Sequence, residues 1–216
     1  MSRIERKAGL ALTGIVVVSA SARFAVSRTF HAPWIAPDEM AYGLLGETLW
    51  QTGELTMRGV AAGYYSLVYP AFVGGPLVLA GAERGIGVVQ GLQALAMSAV
   101  AVPVFVWGRA LVSERLALAA AVLAVLPPSL AYSGLLMSEA LYYPAFVVAL
   151  FALARAVEQP TVLRLGTAVA LATFVAAIRL QALVLLPAFV VALGVDAALA
   201  RDRIALTRLL RLAGVA

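Results

Sequence analysis

The amino-acid sequence predicts an all-α protein of the membrane class, a polytopic bundle of about six transmembrane helices. Its 216 residues are 63% hydrophobic and only 12% charged, and the mean hydropathy is +0.97. A water-soluble domain with so few charges could not solvate its own surface. The apolar residues also fall into runs that can cross a bilayer, which takes ~20 residues in a helix.

Two further features of the composition narrow the function. The chain has no cysteine, which excludes disulfides, thiolate metal sites and cysteine nucleophiles. The formal net charge is +5, but the basic residues lie at the ends of apolar runs, where they orient helices. We therefore expect membrane lipid, and no nucleic acid, among the partners.

The apolar runs predict six membrane spans, at approximately 8–27, 86–108, 116–133, 140–156, 162–178 and 180–199. The first follows a signal-like basic segment but is long enough to remain as an anchor. Six crossings from a cytoplasmic N-terminus leave most of the sixteen Lys and Arg residues inside, as the positive-inside rule requires. They are Arg3, Arg6, Lys7, Arg109, Arg115, Arg155, Arg164, Arg201, Arg203, Arg208 and Arg211. Both termini are thus predicted to be cytoplasmic, and we expect a bacterial plasma membrane.

A seventh apolar segment, 66–82, reads "SLVYPAFVGGPLVLAGA" and is short and interrupted by prolines and glycines. If it also crossed the membrane, every basic cluster from Arg109 onward would move outside. We therefore predict an interfacial or re-entrant helix here.

The stretch "WIAPDEMAYG" opens a long extracytoplasmic loop, predicted over 29–85. Pro37 presets a helical turn, Asp38 and Glu39 suit the positive N-terminal end of a helix, and Gly53 is a suitable stop. Apolar residues recur at helical spacing between them. This pattern predicts an amphipathic helix on the membrane surface that holds both carboxylates in water.

Three stretches in order carry a family resemblance: "PDEMAYGLLGETLWQTGEL", "YYSLVYPAFVGGPLVLAG", and a proline-containing span followed by a short outer loop at 134–139 with Glu139. The chain resembles the N-terminal module of the C-type membrane glycosyltransferases, which include protein O-mannosyltransferases and lipid A aminoarabinose transferases. The resemblance covers roughly residues 1–200. It implies one transmembrane module over 1–216 that is a minimal member, a fragment or the N-terminal part of a larger or split enzyme.

The resemblance implies transfer of a sugar from a polyprenyl-phosphate-linked donor to a hydroxyl at the extracytoplasmic face. The acceptor would be a glycan, a lipid or a protein. Such transfer must remove the acceptor proton, stabilise an oxocarbenium-like centre and neutralise a phosphate leaving group. An acid and a base are therefore expected in one interfacial pocket.

By the same resemblance, Asp38 is the base or the carboxylate that binds the acceptor. Glu39 shares that role or binds a divalent cation, Mg²⁺ or Mn²⁺, with Glu139, and Asp38 is a further metal candidate. Family members often carry two aspartates or one at this point, so which acid is catalytic stays open. Arg179 is the first candidate for binding the lipid phosphate. The further substrate-binding candidates are Arg58, Arg84, Tyr64, Tyr65, Tyr69, Tyr142 and Tyr143.

Each candidate also has a purely structural interpretation. The acids would cap the surface helix, Arg179 would reach to lipid headgroups, and the tyrosines would form an interfacial belt. "GIGVVQG" at 85–91 follows no strand and is interpreted as a helix-packing segment.

Two other functions stay open for the whole chain. One is a transporter or flippase-like subunit for a lipid-linked substrate, and the other is a catalytically incomplete scaffold that needs a partner subunit. The middles of the predicted spans are nearly free of charge, which favours interfacial chemistry over an ion path through the membrane.

Overall fold

A computed structural model of the chain describes residues 3–29, 37–63, 65–126 and 133–212. Tyr64 lies outside these ranges, and so do residues 127–132 of the predicted third span. The helices are α1 (Arg3–Ser27), α2 (Pro37–Thr52), α3 (Val68–Ala80), α4 (Ala82–Ala99), α5 (Ala101–Leu111), α6 (Glu114–Val125), α7 (Glu139–Glu158), α8 (Val162–Ile178) and α9 (Leu185–Leu212). A 3-10 helix (Leu180–Val184) precedes α9, and two short strands, β1 (Thr56–Met57) and β2 (Val60–Ala61), pair as a hairpin.

Four helical segments in the described ranges are long and apolar enough to cross a membrane. They are Arg6–Ser27, Ala82–Leu111, Glu139–Glu158 and Leu180–Ala200. Each supplies the ~20 apolar residues that a bilayer core requires, with its backbone hydrogen bonds made inside the helix. Apart from the hairpin, the described part of the chain is therefore that of an all-α membrane protein, as its composition predicts.

The number of spans stays a prediction. α8 has 17 residues, slightly short of a full span, and α6 has 12 residues and is followed by a stretch outside the described ranges. α3 has 13 residues and reaches about 20 Å at 1.5 Å per residue, which is too short to cross a core of ~30 Å. Its length is compatible with the interfacial or re-entrant helix expected there.

The second span, Ala82–Leu111, is interrupted at Val100, where α4 meets α5. Proline has no N–H, so Pro103 cannot donate to the carbonyl of Ala99 four residues earlier, and the helical hydrogen bonding is interrupted near Val100. An apolar cavity of about 310 Å³ lies beside this interruption and is lined by Pro103 and by Pro144 of α7. These two prolines thus border the space between the helices.

The bounds of α2 agree with the sequence prediction. The helix begins at Pro37, carries Asp38 and Glu39 in its first turn and ends at Thr52, and Gly53 follows in a left-handed conformation with φ of 78°. The hairpin that comes next was not predicted. Its central residues Arg58 and Gly59 both have positive φ, 53° and 79°, as tight hairpin turns require.

Glycine lets α2 and α3 pack backbone against backbone. A Cβ added to Gly46 would lie 2.7 Å from the carbonyl oxygen of Pro70 and 2.8 Å from the nitrogen of Gly74, inside the contact distance of real Cβ atoms. Trp50 reinforces the contact, since its indole Nε1 donates to the carbonyl of Ala71 at 2.8 Å. α2 is therefore fixed to α3 as well as to the surface of the bundle.

Within the described residues, many of the buried apolar side chains form three clusters. The first joins α7, α8 and the start of α9, the second joins α1 with α5 and α6, and the third joins α2, α3, α4 and Leu136. Alanine is frequent in the first two clusters, and small residues allow membrane helices to approach closely. Large apolar side chains such as Val18, Leu123 and Val190 remain exposed, as expected of lipid-facing positions.

Candidate functional site

A cavity of about 310 Å³ opens where the first turns of α2 meet the end of α8. Its lining comes from three distant parts of the chain: Asp38, Tyr42, Tyr65, Ser66, Arg179, Leu180 and Gln181. Three residues singled out from the sequence, Asp38, Tyr65 and Arg179, are therefore brought together by the fold. They combine a carboxylate, a phenol and a guanidinium in one concave site.

Asp38 is exposed in this cavity, and its Oδ1 accepts a hydrogen bond from the Tyr65 hydroxyl at 3.4 Å. Tyr42 lies one helical turn beyond Asp38 and meets the Tyr65 ring edge-on, with the centroids 5.4 Å apart. Burial raises the pKa of Tyr42 above its ordinary value of 10.0, so this hydroxyl stays protonated at neutral pH. Tyr42 is therefore available as a hydrogen-bond donor in this cavity and not as a base.

Arg179 follows the last residue of α8 and forms an ion pair with Glu139, the first residue of α7. Its guanidinium also lies 5.7 Å from the centre of the Tyr142 ring, in the range of a cation–π contact. Burial alone would lower the pKa of Arg179, but the hydrogen bond and charge of Glu139 outweigh it and the pKa is raised. The guanidinium is thus fixed in place and permanently charged.

The other carboxylate oxygen of Glu139, Oε2, is buried and has no hydrogen-bond partner among the described residues. A guanidinium carries five N–H donors, and the ion pair places only part of them on the carboxylate. The pair therefore holds Arg179 in position and still offers donors to a further oxygen.

Ser66 connects the two sides of the cavity. Its hydroxyl donates to the carbonyl of Ile178, the last residue of α8. The last carbonyls of a helix have no partner within the helix, so this contact satisfies one of them. It also ties the loop that carries Tyr65 to the residue immediately before Arg179.

Glu39 has a different environment from its neighbour. The sequence predicts that both acids face water, but Glu39 is fully buried and accepts a hydrogen bond from the N–H of Leu136 at 2.9 Å. Two buried glutamines of α4 hold the same loop, because Gln90 donates to the carbonyl of Gly134 and Gln93 to that of Leu135. Buried loop backbone needs such partners, so the observed contact of Glu39 is structural.

We expect Glu39→Ala to lower the free energy of unfolding by about 1–2 kcal/mol, because the buried N–H of Leu136 loses its acceptor. Glu39→Gln keeps a side-chain oxygen and should cost less. Thermal unfolding in detergent, followed by helical circular dichroism, measures both. Glu47→Ala, on the same helix, is the control, and equal losses for Glu39→Ala and Glu47→Ala would contradict the structural role.

Arg23 is a buried polar residue that the sequence analysis did not select. It is fully buried in the first span, where its Nη2 donates to the carbonyl of Val125 at 2.8 Å and its Nη1 to the hydroxyl of Ser133 at 3.5 Å. It thereby caps the end of α6 and helps to hold the loop that precedes α7. The sequence did contain a signal for this role, because an arginine inside an otherwise apolar helix needs polar partners.

Several predicted site residues lie away from the cavity. Arg58 is exposed at the hairpin turn, and Arg84 lines a separate groove beside α1. Tyr69 is fully buried with its hydroxyl bonded to Gln93, so it does not reach this cavity, and its role in substrate binding stays a prediction. Tyr143 donates to the carbonyl of Ala124 at 3.3 Å and supports helix packing.

Four lining residues were not predicted: Tyr42, Ser66, Leu180 and Gln181. Tyr42 had a usable signal, since it stands four positions after Asp38 and therefore on the same helix face. Ser66 and Gln181 had none, because only the tertiary contact between the first outer loop and the end of α8 brings them to the cavity.

The metal candidates do not form one cluster. Within the ranges that the structure describes, no group of three or more His, Cys, Asp or Glu side chains could hold a metal ion. Glu39 is engaged with Leu136 and Glu139 with Arg179, which leaves Asp38 as the exposed carboxylate of the three. The divalent cation therefore stays a prediction.

The fold and this cavity define a class of protein, an all-α membrane protein with a polar site at one end of its helices. No family model matches the sequence, and neither a curated protein nor a solved structure matches it significantly.

Proposed function

We propose that this chain is a membrane glycosyltransferase or its N-terminal module, acting on a polyprenyl-phosphate-linked sugar at the extracytoplasmic face. The observation that supports the proposal is the placement of Asp38 and Arg179 in one cavity. Sugar transfer from a lipid phosphate needs a proton acceptor and a cation near the leaving group. A site built only to anchor the protein in lipid would not need the two in one concave pocket.

In the proposed reaction, the acceptor hydroxyl oxygen attacks the anomeric carbon and forms the new glycosidic bond. The bond from that carbon to the phosphate oxygen breaks, and its electron pair leaves with the polyprenyl phosphate. Asp38 takes the hydroxyl proton. Arg179 donates hydrogen bonds to the phosphate oxygens as charge develops there.

The surroundings of the two charged groups suit these roles. The Tyr65 hydroxyl bonded to Asp38 orients that carboxylate toward the cavity. Glu139 and the Tyr142 ring hold the Arg179 guanidinium before any substrate arrives. A donor that is already in place does not have to reorient when charge develops, so less free energy is lost to reorganisation during the reaction.

The transporter interpretation gains no specific support. It would be favoured by ionisable groups lining a path through the spans. The buried arginine of the first span, Arg23, instead donates to the carbonyl at the end of α6. A scaffold that needs a partner subunit remains the second possibility for the whole chain.

The test is transfer or release of labelled sugar from a panel of polyprenyl-phosphate sugars by the purified protein in lipid nanodiscs. Gln181→Trp fills the cavity, so we expect kcat/KM to fall by about 10-fold or more, because a misplaced substrate loses the proximity advantage. Gln51→Trp is the matched control, since Gln51 is exposed near the end of α2 and does not line the cavity.

Equal activity of Gln181→Trp and wild type would remove this cavity as the site. A folded wild type that is inactive toward every donor would contradict a self-sufficient transferase and favour the scaffold. Comparable helical circular dichroism and elution volume would show that the variants are folded.

A further inference from the structure

A second groove, of about 720 Å³, lies between the end of α1 and the first turns of α4. One side carries charged side chains and the other is apolar. The lining consists of Phe24, Arg28, Glu83, Arg84, Gly87, Val88, Gly91 and Leu92. It shares no residue with the Asp38 cavity, so it is a separate site that the proposed function does not use.

The charged side of the groove is made of two arginines and one glutamate. Arg28 and Arg84 are exposed, and among the residues that the structure describes neither guanidinium forms a hydrogen bond or an ion pair. Glu83 leaves the groove with one excess positive charge. Two guanidinium groups with open donors suit the oxygens of a phosphate group.

The apolar side of the groove faces the surroundings of the helices. Phe24 is 42% exposed, Val88 47% and Leu92 41%, and all three belong to segments long and apolar enough to span a membrane. They continue from the charged end along α1 and α4. A ligand that matches this surface needs an anionic head and a hydrocarbon chain in one molecule.

Two glycines open the space. A Cβ at Gly87 would lie 2.9 Å from Nη1 of Arg28, whereas a Cβ at Gly91 would make an ordinary contact of 3.5 Å with the Phe24 ring. The glycines interpreted as helix packing therefore also leave room for the guanidinium and for a chain beside Phe24. Substitution at Gly87 meets only the flexible end of an arginine, so it can fill the groove without displacing backbone.

We propose that this groove binds an anionic membrane phospholipid, with its phosphate between Arg28 and Arg84 and an acyl chain along Phe24, Val88 and Leu92. The lining carries one carboxylate, Glu83, but no tyrosine, so the groove lacks the bonded carboxylate and tyrosine that Asp38 and Tyr65 provide in the first cavity. Phospholipids surround a membrane protein at high concentration, and the excess positive charge of the groove favours an anionic headgroup. The lipid would fasten the end of the first span to the start of the second.

The experiment measures lipid binding to the purified full chain in detergent by native mass spectrometry, with phosphatidylglycerol or phosphatidylcholine of matched chains. We expect phosphatidylglycerol to bind about 10-fold more tightly. The double variant Arg28→Gln/Arg84→Gln should lose that preference, and Gly87→Leu should weaken binding about 5-fold while keeping both charges. Arg58→Gln/Arg115→Gln removes two charges elsewhere and is the matched control.

Equal affinity for the two phospholipids would overturn the proposal, and so would equal losses in the double variant and its control. Two further additions identify the ligand. Displacement of phosphatidylglycerol by millimolar inorganic phosphate would indicate a free-anion site, and polyprenyl phosphate binding 10-fold more tightly than phosphatidylglycerol would indicate a donor-lipid site. Each would overturn the assignment to bulk phospholipid, whereas persistence of the preference against both supports it.

Discussion

Asp38→Asn is expected to lower kcat for sugar transfer by about 10²–10⁴-fold, the range that a positioned general base contributes. The substitution preserves the size of the side chain and an oxygen that can accept from the Tyr65 hydroxyl. It removes only the ability to take up a proton. Because Asp38 is exposed, stability should stay within about 0.5 kcal/mol of the wild type.

The measurement is transfer of labelled sugar in nanodiscs at saturating donor, with the most active donor of the panel. Glu54→Gln is the matched control, since Glu54 is an exposed acid of the same outer segment and does not line the cavity. We expect its rate to equal that of the wild type. Full activity in Asp38→Asn would remove the proposed role of Asp38 as the base.

The different environments of Asp38 and Glu39 mark the limit of what the sequence could predict here. Both were expected in water because they are adjacent in an outer loop. Successive helical residues point about 100° apart, however, and α3 and the loop before α7 cover only one face of α2. The bounds of α2 depend on the local sequence and were predicted correctly. Which of the two acids is buried depends on tertiary packing.

The same reasoning explains the arginines. Charge distribution assigns a basic residue to one side of the membrane but not to a lateral position around the bundle. Arg84 and Arg179 were therefore grouped as alternatives for one phosphate. The structure places Arg84 beside α1 and Arg179 beside α7, so they line two different sites.

The close contact of α2 and α3 gives the second large effect. Gly→Ala in a helix interior normally stabilises a protein by about 0.5–1 kcal/mol, because glycine loses more backbone entropy on folding. At Gly46 the added methyl would lie within 2.9 Å of three backbone atoms of α3, contributed by Pro70 and Gly74. We expect Gly46→Ala to destabilise the protein by about 1–3 kcal/mol, as overpacking does.

Gly166→Ala is the matched control, because Gly166 lies within α8 and a Cβ there meets nothing within 4 Å. Thermal unfolding in detergent should therefore shift in opposite directions for the two variants. Transfer activity should fall with Gly46→Ala as well, since α2 carries Asp38 and a forced separation from α3 moves that carboxylate relative to Arg179. If Gly46→Ala stabilised the protein as Gly166→Ala does, the backbone contact of α2 with α3 would be wrong, and the geometry of the cavity would be wrong with it.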